Sequence, residues 1–245
     1  MTWLSPPDPI TPNPDQIHIW RIWLGQQSPL TYQSCLSAEE HTRANRFKFD
    51  RDRTRFIQSR GSLRHILSRY LGCSAAEVTF TYGEYGKPQV SNDPTLTFNL
   101  SHSEDLALCA VGYHQRLGID LEHLRSLTHF ESLSRRCLCD SELQALSTLA
   151  APEAQQQFLQ YWTCKEAYLK ALGCGLTQSL QSVEVQLTPV AKLLSPAHSW
   201  QLKILDPAPG FVAAVVSAKK VQITQYEWGG GEVGRWGGGP LSKQF

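Results

Sequence analysis

Two short segments carry side chains whose types and spacing could do chemistry. Gly118-Ile119-Asp120-Leu121-Glu122 reads as a strand. Residues two apart in a strand share a face, so Asp120 and Glu122 project together while Ile119 and Leu121 turn to a core. Adjacent carboxylates repel unless a cation lies between them, and Mg²⁺ takes one or two carboxylates together with water and phosphate oxygens. A strand with one solvated face would carry the same residues. Further on, Trp162-Thr-Cys-Lys165-Glu166-Ala-Tyr168-Leu-Lys170 reads as a helix, with Glu166 and Lys170 as i,i+4 neighbours. Such a pair is ordinarily a plain surface ion pair.

Three other segments supply candidate anion ligands. Phe98-Asn-Leu-Ser101-His102-Ser103 is expected to end a strand and enter a loop, where Ser101 and His102 could meet a ligand. Gly83-Glu-Tyr-Gly-Lys87-Pro88 reads as a turn that presents Lys87. Between Arg43 and Arg55, six of thirteen residues are basic. Each of these could equally be an ordinary loop, turn or solvated helix face.

The elements that must position these groups repeat. Ile17–Trp23 alternates as a strand, and Ser37 with Glu40 three residues later forms a capping box at a helix start. A long helix is expected from about Asp50 to Tyr70, stopped by Gly72, followed by strands at Val78–Tyr82, Leu96–Leu100 and Leu106–Gly112. The second pass begins with the strand at Leu117. It continues with a helix near Asp140–Leu149, a longer one over Pro152–Leu172 stopped by Gly173, and strands at Val183–Leu187, Trp200–Ile204 and Phe211–Val216. Ile17 to Gly72 spans 55 positions and Leu117 to Gly173 spans 56. The expected fold is α+β, a pseudo-dimer of two similar halves, residues 17–115 and 116–228, packed face to face with the active site in the cleft between them.

Five prolines fall within Met1–Gln16, so residues 1–16 are expected to form an extended, poorly packed lead. Seven glycines between Gly229 and Gly239 make 229–245 a flexible tail. With 245 residues, 41% of them hydrophobic and 18% charged, the chain can bury a core. A net charge of +1 gives no global field toward nucleic acid or an anionic membrane, so an anion must be held by a local cluster. The apolar runs are too short to span a bilayer and the N-terminus lacks a secretory pattern, which leads to an expected cytoplasmic location. The seven cysteines show no metal-ligand spacing and are expected to be reduced.

Together, YGKP, FNLSHS, GIDLE and WTCKEAYLKALGCGL, in this order, resemble the 4′-phosphopantetheinyl transferases of the surfactin-synthetase-activating type, with wording close to cyanobacterial members. The resemblance covers about Ile17 to Trp228. It implies transfer of the phosphopantetheine arm of coenzyme A to a serine of an apo acyl or peptidyl carrier protein, with release of 3′,5′-ADP, by a monomer. It implies that Asp120, Glu122 and Glu166 hold Mg²⁺ (or Mn²⁺), that Glu166 is the base, and that Lys170 acts at the leaving group. Arg43, Arg55, Lys87, Ser101 and His102 match positions that contact the phosphates of coenzyme A, with Lys165 as a further contact. Family members often carry a second basic residue just before the position of Arg43, where this chain has Glu40-His41-Thr42. Leu124–Cys139, with Arg125, Arg135 and Arg136, is the expected carrier-docking segment. A hydrolase of coenzyme A and a non-catalytic binding module are the competing readings.

Overall fold

The computed structural model describes residues 2–10, 13–175, 178–196 and 199–229; the expected flexible tail lies outside the described residues from 230 onward. The chain opens with β1 (Gln16–Trp23), α1 (Leu30–Gln33), α2 (Ala38–Ala44) and the long α3 (Asp50–Leu71). A hairpin of β2 (Phe80–Tyr82) and β3 (Pro88–Val90) leads to β4 (Leu96–Ser103) and β5 (Leu106–Tyr113). The second pass repeats this order. It runs β6 (Leu117–His123), α4 (Phe130–Cys137), α5 (Asp140–Ser147), α6 (Ala151–Leu172), the hairpin β7 (Glu184–Gln186) and β8 (Lys192–Ser195), β9 (Gln201–Leu205) and β10 (Phe211–Ser217). A last strand, β11 (Gln222–Glu227), has no counterpart in the first pass.

Local signals explain the bounds. Ser37 accepts from the Glu40 amide while Glu40 accepts from the Ser37 amide, so α2 starts on a complete capping box. Gly72 and Gly173 end the two long helices at φ 63° and 76°, the left-handed region that a Cβ disfavours.

The first sheet has strand order β11-β1-β5-β4 and the second β6-β10-β9. β1 pairs antiparallel with β5 as β6 does with β10, and the halves correspond element by element. The two sheets face each other. Ile17, Ile19, Leu106, Leu108 and Ala110 meet Leu117, Ile119, Leu121, Ala213 and Val215. The outer face of the first sheet, with Trp20 and Ile22, packs on Leu63, Ile66 and Leu67 of α3. That of the second, with Val212, Ala214 and Val216, packs on Phe158, Ala167 and Ala171 of α6. Four layers result, helix–sheet–sheet–helix. Because its two faces are both covered, β5 is a nearly continuous apolar run.

Two expectations change. β11 pairs in parallel with β1, so residues 222–227 complete the first half's sheet although they follow the second half in sequence. The Pro-rich lead is packed in part. Leu4 donates to the Gln225 carbonyl and accepts from the Glu227 amide, both at 2.9 Å. Ile10 is buried in the first half's core, and the Arg21 guanidinium stacks on Trp3 at 4.5 Å.

One buried polar group marks the first half. His18 Nδ1 lies 2.8 Å from Tyr70 Oη, which also accepts from Trp20 Nε1 at 2.9 Å, so Tyr70 donates to a neutral imidazole. Burial draws the His18 pKa from 6.5 down to about 4. The unfolded chain takes up this proton near 6.5 and the folded chain only near 4. Stability is therefore complete above 6.5 and falls as pH drops through that window, by about 2 kcal/mol between pH 7 and pH 5. Urea unfolding at the two pH values should show a smaller loss in His18→Gln than in the wild type, the remainder belonging to His65 and His102, whose imidazoles are also held below the usual range; an equal loss in both would remove His18 as a cause.

Candidate active site in the cleft between the halves

The site is built where β6, β4 and α6 meet. Gly118 is why they can meet: a Cβ there would overlap the Ala167 carbonyl oxygen and the Ala171 amide, so only glycine lets α6 lie this close to β6. Two residues along, Asp120 faces the same helix. Its Oδ1 accepts from Lys170 Nζ at 2.6 Å and from Ser101 Oγ at 2.9 Å, and Lys170 also donates to Ser101 Oγ at 3.0 Å. Lys170 has three N–H donors, and these contacts use two.

β4 contributes through alternation. Asn99 Oδ1 accepts from the Ile119 amide at 2.8 Å and Ser103 Oγ from the His123 amide at 3.0 Å, so Asn99, Ser101 and Ser103 together line the free edge of β6. Ser101 and His102 are still in the strand, not in a loop, and project to opposite sides. His102 stands on the side of Arg43 and Arg55. Partial desolvation, then the Lys170, Arg55 and Arg43 charges, hold its imidazole below the usual range. Four basic side chains from α2, α3, β4 and α6 thus share one region.

The carboxylates keep capacity for a ligand. Asp120 Oδ2 and Glu166 Oε1 are buried and have no hydrogen-bond partner. Burial raises the Asp120 pKa against the opposing pull of Lys170 and Ser101. Burial and then the Asp120 charge raise that of Glu166. Glu122 accepts from Arg125 Nη1 at 2.8 Å. Among the described residues no three His, Cys, Asp or Glu side chains stand ready as a metal centre. The two orphaned carboxylate oxygens, with Glu122 beside them on β6, fit a hard divalent cation in donor chemistry.

Three expected phosphate ligands are engaged elsewhere. Lys165 is fully buried. Its Nζ pairs with Glu142 at 2.5 Å and donates to the carbonyls of Cys137 and Leu180, so it faces away from the cleft and holds the second half together. Lys87 donates to the carbonyls of Lys170, Leu117 and Ala171 at 2.6, 3.0 and 3.4 Å. Burial, and after it the Arg116 charge, draw its ammonium down to about 8. Arg55 pairs with Glu104 and Asp105 at 3.0 and 2.8 Å. Arg43 stays exposed over the Phe56 ring and lines a hollow of about 750 Å³ with Arg46, Arg60, Phe47 and Tyr82. Sequence reasoning missed Gly118, Asn99 and Ser103; a glycine inside a strand and the polar alternation of β4 were the available signals.

A duplicated α+β protein with carboxylates and a lysine at the junction of its halves is the class these features define. The model of the 4′-phosphopantetheinyl transferase superfamily matches residues 116–216, and that of the 4′-phosphopantetheinyl transferase N-terminal region matches residues 22–114. The chain is 45% identical over 223 residues to the 4′-phosphopantetheinyl transferase HetI of Nostoc sp., covering 89% of this chain and 94% of that one. It is 35% identical over 168 residues to a putative 4′-phosphopantetheinyl transferase of Synechocystis sp., slr0495, covering 66% and 68%. It is 28% identical over 199 residues to the 4′-phosphopantetheinyl transferase Sfp of Bacillus subtilis, covering 80% and 88%. The chain belongs to the 4′-phosphopantetheinyl transferase family.

The assignment of Lys165 to the core has a consequence. Lys165→Met leaves Glu142 buried without its cation and should cost about 3–5 kcal/mol in urea unfolding. Pairing it with Glu142→Gln, which removes the unpaired charge but keeps an acceptor for the Cys139 and Val185 amides, should restore part of that. A stability loss below about 1 kcal/mol in Lys165→Met would contradict the structural role.

Proposed function

We propose that this enzyme transfers 4′-phosphopantetheine from coenzyme A to a serine of an apo acyl or peptidyl carrier protein and releases 3′,5′-ADP, with Mg²⁺ required. The observation that carries this reading is the cleft's pair of carboxylates, each with a buried oxygen lacking a protein partner, next to an ammonium held 2.6 Å from Asp120. Charge of both signs at one point suits a pyrophosphate undergoing attack at its β-phosphorus. A hydrolase would use the same groups, but 89% and 80% of the chain align with relatives named as transferases.

The residues divide the work. Asp120, Glu122 and Glu166 would hold Mg²⁺, which when bound supplies Lewis acidity at the pyrophosphate. Glu166, its pKa raised by burial and by Asp120, is the base that takes the serine proton. The serine oxygen forms the new bond to the β-phosphorus as the bond to the 3′,5′-ADP oxygen breaks. Lys170 neutralises the charge that develops on that leaving oxygen, held ready by Ser101 and Asp120. Arg43 and His102 would meet the phosphates of the nucleotide, and Arg55, paired with Glu104 and Asp105, would add only the donors that those pairs leave free. The expected monomer and cytoplasmic location belong to this reading; among the described residues no helix is long and apolar enough to cross a membrane.

For the carrier protein, α4 is the surface we favour. Arg135 and Arg136 are exposed in its last turn and line a hollow of about 680 Å³ with His129 and Phe130. An acidic carrier helix would find both charge and an apolar contact there.

Two measurements test these points. Incubated with coenzyme A, Mg²⁺ and apo carrier proteins, the wild type should add one phosphopantetheine mass to at least one carrier. Glu166→Gln and Asp120→Ala should lose at least 100-fold in kcat while folded; no modification of any carrier by the folded wild type would sink the proposal. Charge reversal at Arg135 and Arg136 should raise the carrier KM about tenfold or more with the coenzyme A KM kept; an unchanged carrier KM would move docking elsewhere.

A further inference from the structure

The last turn of α6 raises a question that the transferase reading leaves unanswered. A helix ends with backbone carbonyls that have no intrahelical donor, and in a buried helix end each must find one elsewhere. In α6 the Leu169 carbonyl receives the Gly173 amide at 3.0 Å. The Lys170 and Ala171 carbonyls receive Lys87 Nζ at 2.6 and 3.4 Å, and the Leu172 carbonyl receives Arg116 Nη2 at 3.3 Å. The donor for the central two comes from the other half of the molecule.

Lys87 is well placed to act as a fixed point. Its turn is closed by the Gly83 amide on the Lys87 carbonyl and the Gly86 amide on the Gly83 carbonyl, both at 2.9 Å, and Pro88 follows. Gly86 takes φ 78°, which the turn needs. The turn rests on the loop after α6. A Cβ at Gly173 would lie 3.3 Å from Lys87 Cδ, and one at Gly175 would lie 3.5 Å from Tyr85 Cβ. The same ammonium also reaches the Leu117 carbonyl at 3.0 Å, at the start of β6. One side chain therefore ties the first half to both elements that carry Asp120 and Lys170. A cation at a helix C-terminus is further favoured by the helix dipole.

We infer that Lys87 is a positioning residue, not a phosphate ligand: it clasps the last turn of α6 to the start of β6 and so fixes where Lys170 meets the leaving group. The inference rests on the transferase reading for its kinetic part alone. A direct phosphate contact predicts a raised KM for coenzyme A, because ground-state binding is lost. A clasp predicts a lower kcat at nearly constant KM, because the ammonium of Lys170 is misplaced in the transition state.

The test compares the wild type, Lys87→Met and Lys87→Arg in two arms. In hydrogen exchange of the full chain, Lys87→Met should speed exchange at least tenfold in residues 169–175 and leave the last turn of α3 unchanged. In carrier-protein transfer with folded protein, Lys87→Met should lower kcat at least tenfold with the coenzyme A KM within threefold, and Lys87→Arg should recover a measurable part. Unchanged exchange in the α6 turn overturns the clasp. Faster exchange with an unchanged kcat makes the clasp structural only and overturns positioning. A KM rise of tenfold or more at constant kcat restores the phosphate role. If the wild type transfers nothing, the functional reading fails, and the exchange arm still decides the clasp.

Discussion

The distance between α6 and β6 governs the cleft. A helix packed on a sheet ordinarily keeps a layer of side chains between the backbones. At Gly118 that layer is absent, and the backbone of α6 from Ala167 to Ala171 touches the strand directly. The close approach is what brings Asp120, two residues along the strand, to 2.6 Å from Lys170 on the helix. It also removes water from Asp120, and that burial is the largest cause of its raised pKa. A carboxylate in such a place needs a cation, and Lys170 supplies it on one oxygen while the other remains without a partner. The geometry of the candidate site and its electrostatic tension thus share one origin, a missing Cβ.

The duplication shows which features are architecture and which are chemistry. Arg64 and Lys165 each stand eight residues before the glycine that ends their helix. Each is buried and paired with the capping-box glutamate of a preceding short helix, Glu40 for Arg64 and Glu142 for Lys165. Both cations also donate to backbone carbonyls of neighbouring segments, Arg64 to Ala75 and Val78 and Lys165 to Cys137 and Leu180. A buried pair kept in both halves with the same connections is a means of joining a helix pair to its sheet. The positions proposed to react diverge instead. Asp120, Glu166 and Lys170 correspond by spacing to Trp20, His65 and Arg69 in the first half. There the Arg69 guanidinium lies 5.5 Å from the Trp20 ring, and His65 stacks on Trp228 at 6.3 Å. The first half has kept a cation over its first strand but exchanged the carboxylates for aromatic packing, and Trp228 follows the strand β11 that completes this sheet.

Much of this was legible in the residues. The strands at Ile17 and Leu117, the capping box at Ser37, both long helices and their glycine stops followed from period and punctuation. The equal spacing of the two passes gave the pseudo-dimer. Other features depended on contacts between distant segments, which local pattern does not encode. Lys165 adjoins Glu166 in sequence, but one residue of helix is 100° of rotation, and that turns Lys165 to the core while Glu166 meets the cleft. Lys87 reads as an exposed turn lysine until α6 is placed beneath it. The return of β11 to β1 joins residues about 200 apart, and its half-exposed alternation gives little local signal. The lead seemed too rich in proline to pack, yet two backbone hydrogen bonds at Leu4 suffice to hold it on that same strand.

The basic run of α2 and α3 shows how a nearly neutral chain makes a local field. Glu40, three residues before Arg43, places a negative charge within the basic run. Its carboxylate, however, is buried and accepts from Ser37, Arg60 and Arg64. It is shared between Arg60, which lines the hollow, and Arg64, which is buried behind it. The lining then holds Glu39 and Glu40 against Arg43, Arg46 and Arg60, and remains positive by one charge before Arg64 is added. Arg55, by contrast, is balanced by Glu104 and Asp105 and adds little net field. The positive character therefore concentrates at Arg43 and Arg46, whereas Lys170 is paired with Asp120; burial, then the Lys170, Arg55 and Arg43 charges, hold the His102 imidazole below the usual range. An imidazole kept neutral near cations is a hydrogen-bonding group that does not add to their mutual repulsion. A polyanion entering the cleft would relieve that repulsion directly, which is the electrostatic reason to expect its phosphates there.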